Sequence, residues 1–177
     1  MKKKPIYLWI LLVLSALISA LSLFGILGPV PSKEALRTGL SNSGSLTAQQ
    51  IEDTVNYTYQ VTATSHSIFN VVLIVLSAIL VVVAFVFLVR KNVQFANYAY
   101  IGYVLLAIVG LVYSYMNVQD AVQLIKDSTL GLGMGALAQG TNILFIIINV
   151  LFLALVFYKM WRQQKDLVEE VEAEEVA

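Results

Sequence analysis

Four stretches of this chain contain no Asp, Glu, Lys or Arg, and each exceeds the roughly 20 residues that a helix needs to cross a bilayer. They cover residues 5–32, 54–89, 92–119 and 128–158. Because hydrocarbon offers the backbone no hydrogen-bond partner, such segments fold as helices that pair their own amide and carbonyl groups. At 59% hydrophobic and 12% charged residues, the chain is far more apolar than a soluble domain. It is predicted to be an all-α membrane protein.

The apolar cores of these stretches predict a bundle of four transmembrane helices, which forms one domain over residues 1–165. The predicted spans are 6–27, 67–89, 96–116 and 142–158. Two outer loops (28–66 and 117–141) and one inner loop (90–95) connect them. Because the inner loop is short, we expect the second and third spans to be antiparallel neighbours.

Basic residues mark the ends of the predicted spans on alternating connections. Eight of the eleven lie there: Lys2, Lys3, Lys4, Arg90, Lys91, Lys159, Arg162 and Lys165. Cytoplasmic loops are enriched in Lys and Arg, so the pattern predicts a plasma-membrane protein with both termini in the cytoplasm. Anionic headgroups of the bilayer explain these residues without nucleic acid, and no nucleic-acid partner is expected.

The N-terminal segment has a second interpretation. Residues 1–22 have a basic start, an apolar core and small residues at Ala20 and Ser22, which is the pattern of a signal peptide. The apolar run continues to Leu27, so an uncleaved first span is favoured.

The chain has no cysteine, which excludes disulfides and thiol chemistry. Short loops, no cysteine and a lysine triplet at the start are similar in style to small bacterial membrane proteins.

The first outer loop is long and is expected to be partly helical. A short helical turn is predicted after Ser32, and Thr47 with Gln50 has the spacing of a capping box. We expect one helix to run from about Ala48 into the second span. Alternation of apolar and polar residues over 55–63 is also typical of a strand. The helix is favoured because an isolated strand is unstable in water.

The second outer loop combines an amphipathic segment with a glycine-rich one. Residues 118–125 predict a short helix lying at the outer interface. The glycines at 131, 133, 135 and 140 predict a flexible or tightly packed return into the fourth span. A gating or ligand-binding loop is the alternative. No strand precedes the glycines and no Lys-Ser/Thr pair follows them, so a phosphate-binding loop is excluded.

The four predicted spans contain no Asp, Glu, Lys or Arg, and this argues against two classes of function. Ion-coupled carriers place ionisable residues within the bilayer. Intramembrane proteases need paired aspartates, a Ser–His pair or a metal-binding His motif, and the chain has a single histidine. The protein is therefore predicted not to be an enzyme. No catalytic, cofactor-binding or metal-binding residue is assigned.

Polar residues within the predicted spans suggest helix packing or, as the alternative, a polar path for a solute. Asn70 and Asn149 are expected to hydrogen-bond across the bundle, because a carboxamide facing lipid is costly. Tyr103 is a further candidate. Ser15 and Ser19 have the small-xxx-small spacing that lets helices approach closely.

Two candidate sites lie outside the spans. His66, at the outer entry to the second span, is a candidate pH sensor, although an ordinary interfacial role is favoured. Residues 166–177 form an acidic tail that is expected to be disordered and cytoplasmic. Five glutamates in it are candidates for docking to a basic surface: Glu169, Glu170, Glu172, Glu174 and Glu175.

The sequence thus favours a non-enzymatic partner of another protein over an enzyme or an ion-coupled carrier. The preferred hypothesis is an accessory or regulatory subunit of a larger membrane complex, such as a transporter. Its expected partners are the lipid bilayer and another membrane protein or a second copy. The alternative is a small homo-oligomeric channel or facilitator for a small solute, lined by Asn70, Asn149, Tyr103 and serines.

Overall fold

All the regular secondary structure in the described part of the chain is helical. The computed structural model describes residues 5–42 and 46–175, and over 166–175 it describes the backbone alone. These residues form six helices and no strand: α1 (Ile6–Leu27), α2 (Lys33–Ser41), α3 (Ala48–Ser65), α4 (Ile68–Val89), α5 (Val93–Val122) and α6 (Ser128–Glu175). Four segments are long and apolar enough to cross a membrane, namely α1, α4, α5 and Ser128–Lys165 of α6. The all-α prediction is confirmed.

The four long helices pack around a central hairpin formed by α4 and α5. α1 lies against α4, and α6 lies against α5. The turn between α4 and α5 places Lys91 at a positive φ of 62°, and the Asn92 side chain caps α5 by accepting from the Phe95 amide at 3.3 Å. The expected antiparallel pairing of the second and third spans is therefore present.

The hydrophobic core occupies one half of this bundle. It consists of Leu8, Leu11, Leu12, Val81, Ala84, Leu88, Ala96, Tyr100, Tyr103, Val104 and Val156. We call the adjoining end, where Pro5, Arg90 and Lys159 lie, the basic end. The opposite end, which carries α2 and α3, is the cap end. The lysines at positions 2–4 lie outside the described residues.

The two short helices begin at the residues that the sequence suggests. Ser32 caps α2 by accepting from the Ala35 amide at 3.2 Å. Thr47 accepts from the Gln50 amide at 3.3 Å, and the Gln50 side chain accepts from the Thr47 amide at 3.1 Å. This is the predicted capping box, and residues 55–63 lie within α3. The helical interpretation of that segment is confirmed and the strand alternative is wrong.

The expected continuous helix from Ala48 into the second span is interrupted. α3 ends at Ser65, and Ser67 adopts an extended backbone before α4 begins at Ile68. The Ser67 hydroxyl accepts from the Asn70 amide at 3.3 Å, and the Asn70 side chain donates to the Ser65 carbonyl at 2.7 Å. These bonds satisfy backbone groups at the two helix ends, so the break leaves them paired.

The second outer connection is almost wholly helical, in contrast to the predicted loop 117–141. α5 continues to Val122, so its last turns replace the expected interfacial helix. Asp127 caps α6 by accepting from the Thr129 and Leu130 amides, both at 3.0 Å. The glycines then lie inside α6. A Cβ at Gly135 would come within 3.2 Å of the Val122 side chain, so this glycine permits close packing of α6 on α5.

The acidic tail also differs from the expectation. The backbone of α6 stays helical through 166–175, which were expected to be disordered. Glu accounts for five of these ten residues, and its helix propensity is high. Residues 176 and 177 lie outside the described residues.

Candidate functional site

All four long helices line one partly enclosed cavity in the half of the bundle towards the cap end. Its volume is about 460 Å³. Leucine, isoleucine and phenylalanine side chains form most of the apolar part of the wall. The polar residues in the wall are Ser15, Ser19, Ser22, Asn70, Ser77, Tyr103, Ser114 and Asn149.

Helical spacing brings these residues to one place. On α1 the serines recur at intervals of four and three, so they share one face. On α5 the lining residues Tyr103, Ala107, Gly110 and Ser114 follow the same rule. Most of the residues on these two faces have small side chains. The helices therefore leave space between them here, whereas leucines and tyrosines fill the basic half.

The five residues predicted from the sequence all lie in the cavity wall, namely Ser15, Ser19, Asn70, Tyr103 and Asn149. Ser15, Ser19 and Tyr103 are buried. The Ser15 hydroxyl donates to the Tyr100 hydroxyl across the α1–α5 contact at 3.3 Å. Whether these residues serve packing or a solute path stays a prediction.

The two asparagines do not donate across the bundle as expected. The Asn149 side chain donates to the Phe145 carbonyl of its own helix at 2.8 Å, and Asn70 donates to the Ser65 carbonyl. A backbone carbonyl about one turn away is the nearest acceptor, and bonding it needs no precise fit between helices.

The cavity is closed towards the basic end by tight packing. Tyr100, Leu8, Leu12 and Val104 are each 0% exposed and lie in the core. A second, smaller cavity of about 60 Å³ lies towards the cap end, and Asn70 and Ser114 line both. The larger cavity therefore ends at the core.

Asn97, near the basic end, is a buried polar residue that sequence reasoning missed. Its side chain is 0% exposed, and its Oδ1 accepts from the Tyr7 hydroxyl at 2.9 Å. Its Nδ2 has no hydrogen-bond partner among the described residues. The Tyr7 ring also lies 6.0 Å from the Lys159 ammonium. These contacts join α1, α5 and α6. The sequence gives little reason to single out Asn97, because it is only the second residue of the predicted third span, where polar residues are common.

His66 links the α3–α4 break to the end of α1. Its Nε2 lies 3.0 Å from the Gly28 carbonyl and its Nδ1 lies 2.9 Å from the Thr62 carbonyl. A neutral imidazole has one N–H and can donate to one of these oxygens, whereas the imidazolium can donate to both. The arrangement is compatible with a sensor, and that role stays a prediction.

A network of polar contacts at the cap end holds α3 against the start of α6. The Asp53 side chain is 2% exposed, and its Oδ2 accepts from the backbone amides of Lys126 at 2.9 Å and Asp127 at 3.0 Å. The Gln49 side chain donates to its Oδ1 at 2.7 Å. These donors, the Asp127 amide foremost, lower the pKa of Asp53. Sequence could not reveal this contact because its partners lie more than 70 residues apart.

α2 is held on α3 by charged side chains. Arg37 donates two hydrogen bonds to the Glu52 carboxylate at 2.6 and 3.0 Å, which raises the pKa of Arg37 and lowers that of Glu52. The Lys33 ammonium donates to the Asn56 side chain at 2.8 Å. Two of the three basic residues outside the basic end are thus engaged within the cap.

The five tail glutamates belong to the last turns of α6, which extend beyond the basic end. They are not near the cavity. In the part of the chain that the structure describes, no group of three or more His, Asp or Glu side chains is placed to hold a metal ion.

The family model described as "Domain of unknown function (DUF8777)" matches residues 1–169. No curated protein matches this chain. No solved structure matches it either.

Proposed function

The chain belongs to the DUF8777 family, and we propose from its own residues that it is a non-enzymatic integral membrane protein serving as an accessory or regulatory subunit of a larger membrane complex, such as a transporter. The proposal places the four long helices across the plasma membrane, with both termini and the basic end in the cytoplasm.

Three features support the membrane placement. The four long helices expose large apolar side chains along their length. Arg90, Lys91 and Lys159 lie together at one end of the bundle, as the positive-inside rule requires of cytoplasmic connections. Tyrosine and tryptophan side chains are exposed near that end, where amphipathic rings suit the headgroup region: Trp9, Tyr98, Tyr158 and Trp161.

The observation that carries the subunit proposal is the shape of α6. In an apolar 18-residue segment of α6, 6% of the residues are buried. In the corresponding segments of the other three candidate spans, 22% to 28% of the residues are buried. Residues 160–175 then extend it past Lys159 by about 24 Å, at 1.5 Å per residue. The end of this extension carries six of the chain's eleven acidic residues. A projecting acidic helix is suited to binding a basic surface on a cytoplasmic region of a partner.

The test is purification of the tagged full-length chain from its native membranes in mild detergent, followed by mass spectrometry. We expect one membrane protein to co-purify in fixed stoichiometry. A variant with Gln in place of Glu169, Glu170, Glu172, Glu174 and Glu175 should lose most of it. The control changes two exposed acids at the cap end, Glu34→Gln and Asp120→Asn, and should keep the partner. Recovery of the bare protein alone, or equal recovery with the Gln variant, would contradict the proposal.

A second candidate is a small homo-oligomeric channel or facilitator, which the polar residues of the cavity favour. The packed core beside Tyr100 opposes it, because a solute would need that region to open or a path between copies. Solute flux into liposomes that contain the purified protein tests it. Flux that is absent, or that survives both Asn70→Leu and Asn149→Leu, would remove these residues as the lining of a pore.

A further inference from the structure

The cavity contains hydroxyl groups that the protein itself leaves unpaired. Tyr103 is 5% exposed and Ser19 is 8% exposed, yet no described residue hydrogen-bonds either hydroxyl. The same is true of Ser22, Ser77 and Ser114 among the described residues. Hydroxyls enclosed in hydrocarbon without partners are costly, so this wall calls for an occupant that supplies donors or acceptors.

The charge of the wall limits what that occupant can be. No Asp, Glu, Lys, Arg or His lies among the residues that line the cavity. A phosphate, carboxylate or ammonium group would therefore have no counter-charge there, and burying it would be costly. A neutral hydroxyl or carbonyl oxygen matches the serine and tyrosine hydroxyls and the Asn149 carboxamide. The remaining wall is apolar and suits a hydrocarbon chain.

Access distinguishes a lipid from a partner helix. A helix crossing the bilayer would meet the closed core beside Tyr100. A hydrocarbon chain can end there. α1 packs mainly on α4 and α6 mainly on α5, and apart from the contact of Tyr7 with Lys159 at the basic end, few contacts join α1 to α6.

We propose that this cavity binds one neutral amphiphile, a long-chain lipid whose polar group is a hydroxyl or an uncharged carbonyl. This rests on the proposed placement of the bundle in a membrane, but it does not depend on the partner subunit. The hydrocarbon chain lies among the leucine and phenylalanine side chains. The polar group bonds the hydroxyls of Tyr103 and the α1 serines.

The test uses the purified full-length protein in phospholipid nanodiscs with two photoreactive probes. One is hexadecanol that carries a diazirine and an alkyne, and the other is the palmitic acid analogue with the same groups. We expect the alcohol to label peptides of α1 and α5 that line the cavity. The acid, kept ionised by labelling both probes at about pH 9, should label them weakly. Labelling spread evenly over the lipid-facing helices, or equal labelling by the acid, would overturn the proposal.

Two variants and a matched control make the test specific. A Cβ at Gly110 meets no atom within 4 Å, so Gly110→Leu should fill the cavity without a backbone clash and suppress labelling. Gly140 is equally open but does not line the cavity, and Gly140→Leu should label normally. Tyr103→Phe should weaken binding roughly fivefold, as expected for one lost hydrogen bond. Unchanged labelling in both Gly110→Leu and Tyr103→Phe would exclude this site.

The labelling also separates this inference from the subunit proposal. Nanodiscs contain no other membrane protein, so labelling there is independent of any partner found by co-purification. If photo-crosslinking from residue 110 in native membranes captures a polypeptide instead of lipid, the occupant is a partner helix and the lipid proposal is wrong. Should Gly110→Leu fail to fold, the peptides labelled in the unsubstituted protein and the Tyr103→Phe variant decide the question.

Discussion

Asp53 shows how one side chain can organise the cap end. It is on α3, yet it accepts hydrogen bonds from the backbone just before α6 and so joins parts of the chain on either side of the central hairpin. Since those N–H groups stabilise the carboxylate, its pKa is lowered in the folded protein, and so is that of Asp127 at the start of α6. Both carboxylates therefore stabilise the folded state while they are ionised.

The first prediction concerns Asp53→Asn. The amide is a weaker acceptor for the two backbone N–H groups, so the melting temperature in detergent should fall at pH 7. A lowered pKa gives stability that is complete above the unfolded value of about 3.9 and is lost as pH falls through the folded value. Between about pH 5 and about pH 3, the unsubstituted protein should therefore lose more unfolding free energy than Asp53→Asn does. Asp120→Asn, an exposed carboxyl, should behave like the unsubstituted protein.

The second prediction concerns the buried pair at the basic end. Tyr7→Phe removes the donor to Asn97 and leaves a fully buried carboxamide without its partner, which should cost about 1–3 kcal/mol of unfolding free energy. Adding Asn97→Leu replaces that carboxamide with an apolar group of similar size, so the double variant should regain most of the loss. Denaturation in mixed detergent measures both variants. If the double variant instead loses as much unfolding free energy as Tyr7→Phe and Asn97→Leu lose together as single variants, the two residues act separately.

At the scale of elements, apolar length predicts the existence of each long helix but not its ends. α1 coincides with the predicted span 6–27, and α4 begins one residue after its predicted start. α5 and α6 extend well beyond theirs, because helical hydrogen bonding continues into polar residues that a bilayer estimate leaves out. The glycines of α6 mislead for a related reason. Glycine disfavours a helix in isolation, but at Gly135 it allows close packing on Val122.

The third prediction tests that packing. Gly135→Leu would force a side chain into the space that Val122 occupies and should destabilise the protein by about 1–3 kcal/mol. Gly133 is two residues away on the same helix and has no atom near an added Cβ, so Gly133→Leu provides the matched control. Thermal unfolding of the two variants should differ clearly. Equal melting temperatures would show that α6 does not approach α5 closely at this point.

For the whole molecule, the residues of the cavity were predictable but their assembly was not. Polar residues in apolar spans stand out in the sequence, and this signal identifies Asn70, Tyr103 and Asn149. The cavity itself depends on how four helices pack. Leucines and tyrosines fill one half of the bundle, whereas the small serines leave space in the other half. Such packing between helices that are distant in sequence leaves no local pattern. The buried contacts of Asp53 and Asn97 were missed for the same reason.

The central claim is that the bundle crosses a membrane with its basic end in the cytoplasm, and cysteine accessibility tests it most directly. The chain contains no cysteine, so single substitutions introduce one reporter each. Gly39→Cys in α2 should react with a membrane-impermeant maleimide in intact cells. Lys91→Cys and Gln164→Cys should react only after the cells are lysed. Labelling of Lys91→Cys in intact cells, or of Gly39→Cys only after lysis, would contradict the proposed orientation.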